Sequence, residues 1–233
     1  EKWERSGGEG SFFEWAQQNP EIFSEYRYVD FVFLIDGTGG MSPCMAALKT
    51  NLNTFLDALT GEQSPVGDWR GKVVTYRDQK VDGSRWFEDN PFVQNDSAAL
   101  KAQLDLLKAE GGGDEPESLL DAVHKLLSMD QTAKGAQEAD PNRWRYRSDA
   151  ARVIIVFTDA TFHDSMTYPE GAGGTIDDVR NACYANKTVM MFYAPDTIGY
   201  EHMAAFDKAT WEVIPEVEGD FAKGLKQYTQ DQN

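Results

Sequence analysis

Residues 29–41 read Val29-Asp30-Phe31-Val32-Phe33-Leu34-Ile35-Asp36-Gly37-Thr38-Gly39-Gly40-Met41. The run up to Ile35 is almost continuously apolar and does not alternate. That pattern predicts a strand covered on both faces, as parallel sheets require. Beyond the Asp-Gly break, Met45, Leu48, Leu52, Phe55 and Leu59 recur at helical spacing. Strand, glycine-rich turn and helix form the opening unit of an open α/β sheet.

The same unit returns along the chain. Lys72 to Tyr76 reads as a second strand, followed by Arg77-Asp78. The Asp82-Gly83 turn, with Trp86-Phe87 and Phe92-Val93, predicts a short hairpin return at the sheet edge. Asp96 or Ser97 caps a helix carrying Leu100, Leu104 and Leu107, stopped by Gly111-Gly112-Gly113. A further helix opens at Pro116 and carries Leu119, Leu120, Val123, Leu126 and Leu127. Val153 to Phe157 is the strongest buried strand and runs into Thr158-Asp159. A helix from Thr175 or Asp177 through Tyr184, strands at Val189 to Tyr193 and Trp211 to Ile214, and an amphipathic helix over 219–229 complete the set. The expected fold is α/β: a doubly wound, mostly parallel sheet with helices on both faces and one antiparallel edge strand. Residues 1–28, with Phe12, Phe13 and Trp15 and a short helix from Pro20 through Tyr26, are expected to form an arm packed on a single domain over 29–233. Residues 130–149 are expected to be a long surface loop, with Trp144 and the neighbouring Arg143, Arg145 and Arg147 solvated.

Thirty-nine acidic residues against 22 basic ones give a net charge of −17. Such a surface excludes non-specific nucleic-acid binding, which relies on Lys and Arg, and disfavours anionic membranes. It suits solubility, cations and basic partner surfaces. No apolar run approaches the roughly 20 residues that span a bilayer. Cys44 and Cys183, the two cysteines, fall on helices expected on opposite faces of the sheet, so both should be free thiols packed as small hydrophobes.

In open parallel sheets ligands bind outside the carboxyl ends of the strands, where the strand order reverses. Three acidic segments follow that rule. Asp36 ends the first strand, Asp159 ends the strand expected beside it, and Asp114-Glu115-Pro116-Glu117 opens a helix from the same rim. Converging carboxylates repel unless a cation sits among them, and hard oxygen donors suit Mg²⁺, Mn²⁺ or Ca²⁺. Thr38 adds a hydroxyl. No His/Cys cluster has zinc spacing.

These segments carry a family resemblance. Phe33-Leu34-Ile35-Asp36-Gly37-Thr38-Gly39-Gly40-Met41 resembles the first metal-binding loop of von Willebrand factor A-type and integrin I domains, written Asp-x-Ser-x-Ser or Asp-x-Thr-x-Ser. Gly112-Gly113-Asp114-Glu115-Pro116-Glu117 is similar to the Asp-x-Pro-Glu loop of the integrin-β-like branch. Phe157-Thr158-Asp159-Ala160-Thr161-Phe162-His163 resembles its third loop, and Val74-Thr75-Tyr76-Arg77-Asp78 its second strand. The resemblance implies metal ligands at Asp36, Thr38, at Asp114 or Glu117, and at Asp159. Gly40 and His163 would lie just behind them. It implies a divalent cation with an open position for an acidic side chain of a protein partner. Gly40 stands where the family carries its second hydroxyl, so water must replace that ligand or the site is metal-free. The chain also resembles the A-type domain carried by the threonine kinase of type VI secretion clusters. That implies a larger bacterial signalling or secretion protein and the periplasmic side of a membrane, with the cytoplasm as the alternative.

Other readings of the same residues stand beside this one. Asp36 and Asp159 could cap helices, Asp114 could be an N-cap, and Glu117 could steady a first helical turn. His163 could sit on the surface. His124, on an apolar helix, and His202, near a helix start, are read as structural, and Arg77 and Asp78 as a surface pair. No catalytic triad, P-loop or dinucleotide fingerprint is present, so the chain is expected to be no enzyme. Two further functions remain open: a Mg²⁺-dependent phosphohydrolase built on Asp36, and a structural or homodimerising domain with a vestigial site.

Overall fold

A computed structural model describes residues 28–60, 66–113, 115–214 and 221–231. The arm expected over residues 1–28 lies outside them up to residue 27, as do Asp114 and most of the loop over 61–67.

The strands are β1 (Tyr28–Asp36), β2 (Asp68–Tyr76), β3 (Phe87–Glu88), β4 (Val93–Gln94), β5 (Ala150–Phe157), β6 (Thr188–Ala194) and β7 (Ala209–Val213). The helices are α1 (Met45–Thr60), α2 (Gln79–Asp82), α3 (Ser97–Asp105), α4 (Leu119–Leu127), α5 (Ile176–Ala185), α6 (Ile198–Ala204) and α7 (Phe221–Asp231). One sheet runs β3-β2-β1-β5-β6-β7, with β4 also on β2. β2, β1, β5, β6 and β7 pair in parallel. The antiparallel edge is two short strands, β3 and β4, rather than one.

β1 is buried on both faces, as its composition requires. Phe31, Phe33 and Ile35 pack with Leu48, Leu52 and Leu56 of α1, Leu100 and Leu104 of α3, and Leu225 of α7. Val32 and Leu34 face the other core, with Leu120 and Val123 of α4, Val179 of α5, and Tyr200 and Met203 of α6. Cys44 and Cys183 are free and buried in these two opposite cores. No described helix is long and apolar enough to cross a membrane.

Three helix boundaries differ from the pattern reading. α3, capped by Asp96 through Ala99 N at 3.0 Å, ends at Asp105, well before the glycines. α4 starts at Leu119, because Glu117 is held in a parallel bridge with Phe162. α6 is short and places His202 in its last turn, not near its start.

The 130–149 segment is largely an exposed loop, as expected, but Trp144 and Arg145 within it are buried and pin it to the sheet. Trp144 is fully buried and donates its indole N–H to Leu126 O at 2.7 Å. The cause is Asp30, a carboxylate with no solvent exposure near the start of β1. Arg70 donates to it at 3.0 and 2.8 Å, and Arg145 at 2.8 Å from both Nε and its backbone N. A buried charge needs such partners, and Arg145 comes from this segment.

Candidate metal centre

The register brings the acidic strand ends together. β1 runs beside β2 so that Asp36 pairs with Tyr76, and beside β5 so that Ile35 pairs with Phe157. The order reverses between β1 and β5, the switch point where such sheets leave a crevice. Thr158, one residue past β5, therefore reaches Asp36, and its hydroxyl donates to Asp36 Oδ2 at 2.7 Å. Asp36 Oδ1 accepts from Thr38 N at 2.9 Å. Burial pushes the Asp36 carboxyl up, while bonds from Thr38 and Thr158 and the charge of Arg77 pull it back.

Gly111, Gly112 and Gly113 have φ of +77°, +89° and +64°, left-handed values that favour glycine. This turn lays the second loop against the first. Gly39 N donates to Gly111 O at 3.0 Å, and a Cβ on Gly112 would lie 2.4 Å from Thr38 Cγ2 and 3.1 Å from Glu117 Oε1. Asp82 holds the turn, accepting from Gly112 N at 3.1 and 3.0 Å. The second and third loops are stitched in turn. Glu117 N donates to Thr161 O at 3.0 Å, His163 N donates to Glu117 O at 2.9 Å, and Glu115 Oε2 accepts from Thr161 N at 3.0 Å and Oγ1 at 2.8 Å. Asp159 closes the ring: a Cβ on Gly40 would stand 3.1 Å from its Oδ2.

Asp36, Thr38, Glu117 and Asp159, with Gly40 behind, are thus gathered at one rim, while Asp114 lies outside the described residues. His163 Nε2 is 3.4 Å from Asp78 Oδ1, one layer away. Glu117 precedes its helix, Asp36 leads into a 3-10 turn whose N-cap is Thr38, and Asp159 is followed by irregular chain, so none of the three caps an α-helix.

Four residues were not legible as part of this rim: Thr158, Tyr76, Asp82 and Arg77. Thr158 and Tyr76 follow from strand adjacency to Asp36, which the pattern already implied. Arg77 is not one of a surface pair. It is buried, and Nε donates to Gly37 O at 3.1 Å and Glu110 O at 2.7 Å, while Nη1 donates to Arg85 O at 2.9 Å and Glu88 Oε2 at 2.6 Å. One guanidinium ties the first loop, the second loop and the edge hairpin. Asp78 caps α2 through Lys80 N at 2.8 Å.

The electrostatics are those of crowded acids. Burial raises Glu117 from 4.5 to about 8, with the charges of Asp36, Asp78, Asp82 and Asp159 adding to it. Burial likewise raises Asp159 from 3.8 to about 7, with Asp36 and Glu115 adding and its own backbone hydrogen bond opposing. Glu117 Oε2 is buried with no hydrogen-bond partner among the described residues. An orphaned carboxylate oxygen among like charges, beside a threonine, is a hard-oxygen donor set that fits Mg²⁺, Mn²⁺ or Ca²⁺. Among the described residues, no three His, Cys, Asp or Glu side chains stand close enough to chelate an ion unaided. Thr38 and water would have to complete the shell, as Mg²⁺ tolerates.

No protein-family model matches the sequence, and no curated protein matches it.

Proposed function

We propose that this chain is a von Willebrand factor A-type interaction module that binds a protein partner at the carboxyl rim of its sheet through a divalent cation. The observation that carries the reading is Glu117 Oε2, a buried acceptor without a donor among the described residues, in a rim where burial and the charges of Asp36 and Asp159 raise its proton affinity. Removing an ion pair or hydrogen-bond partner from a buried acid is costly, and a cation supplies that partner. Thr38, Glu117, Asp159 and, by way of its neighbours, Asp36 would hold the ion. Its chemistry there is that of a Lewis acid accepting one carboxylate from the partner. The parent assembly, a bacterial signalling or secretion protein, rests on the resemblance of the loops alone.

The test is calorimetric titration with Mg²⁺, Mn²⁺ and Ca²⁺, with Asp36→Ala alongside. Saturable binding in the wild type, lost in the variant, is expected. Equal heats in both proteins would refute the assigned ligands.

A second reading, a structural or homodimerising domain with a metal-free rim, draws on two observations. Gly40 brings no hydroxyl, and Glu117 and Asp159 titrate near neutrality, so protons can replace the ion. A phosphohydrolase built on Asp36 is disfavoured, since both its oxygens are engaged and it has no exposed surface.

A further inference from the structure

Beside the acidic rim, between the loops that follow β5 and β6, lies a cavity of about 320 Å³. Phe162, Ile198 and Gly199 form apolar walls, and Thr161, Asp164 and His202 bring polar groups. We infer that this cavity is a subsite for a basic side chain, Lys or Arg, of the protein partner. The link to a carboxylate-bearing partner rests on the function proposed above.

The third loop links the cavity to the rim. Thr161 stands two residues from Asp159 and is bonded to Glu115 of the second loop through both its N and its hydroxyl. Tyr200 OH donates to Ala160 O at 2.6 Å, fixing the third loop to α6. Phe162 meets the Tyr200 ring edge-on at 5.2 Å. A Cβ on Gly199 would stand 2.9 Å from the Phe162 ring, so glycine lets that ring lie against the α6 backbone. Phe162 and the third loop are therefore held in place before any partner arrives.

Charge selects the occupant. Asp164 is exposed, and among the described residues no cation pairs with it. Ile198 keeps 72% of its surface exposed at the same opening. Apolar walls ending at an unpaired carboxylate match a long cationic side chain. Its methylene stem covers Phe162 and Ile198 while its head reaches Asp164, and the Phe162 ring offers a cation–π contact. The net charge of −17 draws cations to the surface in general. An acidic side chain would be repelled, and a purely apolar one would strip water from Asp164 without replacing it.

The probes are n-butylguanidinium, n-pentanol and butyrate. Each is titrated into isotope-labelled full chain in EDTA and read from the amide resonances of Phe162, Ile198 and Gly199. Saturable shifts with n-butylguanidinium are expected, at a Kd on the order of millimolar. Asp164→Asn should weaken it about tenfold, the loss of one charge-assisted contact, with the rest of the spectrum unchanged. Butyrate should not bind. Equal binding of n-pentanol, or binding indifferent to Asp164→Asn, would make the cavity an apolar pocket and overturn the inference. Silence with all three probes would also overturn it. A Mg²⁺ titration of the same protein after removal of EDTA judges the metal reading separately, because the cavity experiment contains no free metal.

Discussion

Glu117→Gln should stabilise the metal-free protein at pH 8.5 and change it far less at pH 5.5. The folded carboxyl titrates at about 8 against an ordinary 4.5. With the folded value raised, the favourable contribution is complete below pH 4.5, where both states hold the proton. It is lost as pH rises, because the unfolded chain ionises first, and the loss is complete above about pH 8. Each pH unit between the two values is worth about 1.4 kcal/mol, so the ceiling is about 5 kcal/mol. Water entry and relaxation of Asp36 and Asp159 reduce this, and the expected gain for the amide at pH 8.5 is about 1–3 kcal/mol. The assay is urea unfolding of both proteins at the two pH values, in EDTA and again with millimolar Mg²⁺. Added Mg²⁺ should stabilise the wild type, by mass action on the folded state, and the variant much less. A variant less stable than wild type at pH 8.5 in EDTA, or a difference equal at both pH values, would refute the account of Glu117 as a strained buried acid.

Three further substitutions probe the rim. Gly112→Ala, at φ +89° and with its Cβ 2.4 Å from Thr38 Cγ2, should cost about 2 kcal/mol or more; an unchanged thermal midpoint would contradict the left-handed turn. Arg77→Lys keeps the charge but loses the fork that binds Gly37 O, Glu110 O and Arg85 O, so about 1–3 kcal/mol should go. Amide exchange over residues 108–113 should quicken with it, and protection equal to wild type would show that the loops hold without the guanidinium. Gly40→Ser restores a hydroxyl beside Asp159 Oδ2, where a Cβ stands 3.1 Å away. Calorimetry should show Mg²⁺ bound several-fold more tightly, about 1 kcal/mol, and weaker binding would mean that the serine displaces Asp159.

Much of this fold was legible because buried parallel strands and amphipathic helices leave opposite marks in sequence. The run Phe31 to Ile35 and the run Val153 to Phe157 could be little else, and both emerged as β1 and β5, paired in parallel. Asp36 and Asp159 were legible for the same reason, since each ends such a run. Local pattern was weaker where a tertiary partner overrode it. Pro116 suggested a helix start, yet the bridge between Glu117 and Phe162 delays α4 to Leu119. Trp144 and Arg145 looked like loop surface, because nothing within residues 130–149 reveals that Asp30, more than a hundred residues earlier, lies buried and needs two guanidiniums.

By itself, then, the sequence determined the α/β class, the strands that carry the acids, and the end of the sheet where those acids lie. Periodicity and burial are local properties, written in consecutive residues. Only the tertiary structure decided that Thr158 braces Asp36, that Arg77 ties two loops to the edge hairpin, and that, among the described residues, Glu117 enters the rim with an unpartnered oxygen and Asp164 meets no cation at an apolar cavity. Those facts depend on the register between strands and on contacts between residues far apart in the chain, where hydrogen bonding and desolvation are settled pair by pair.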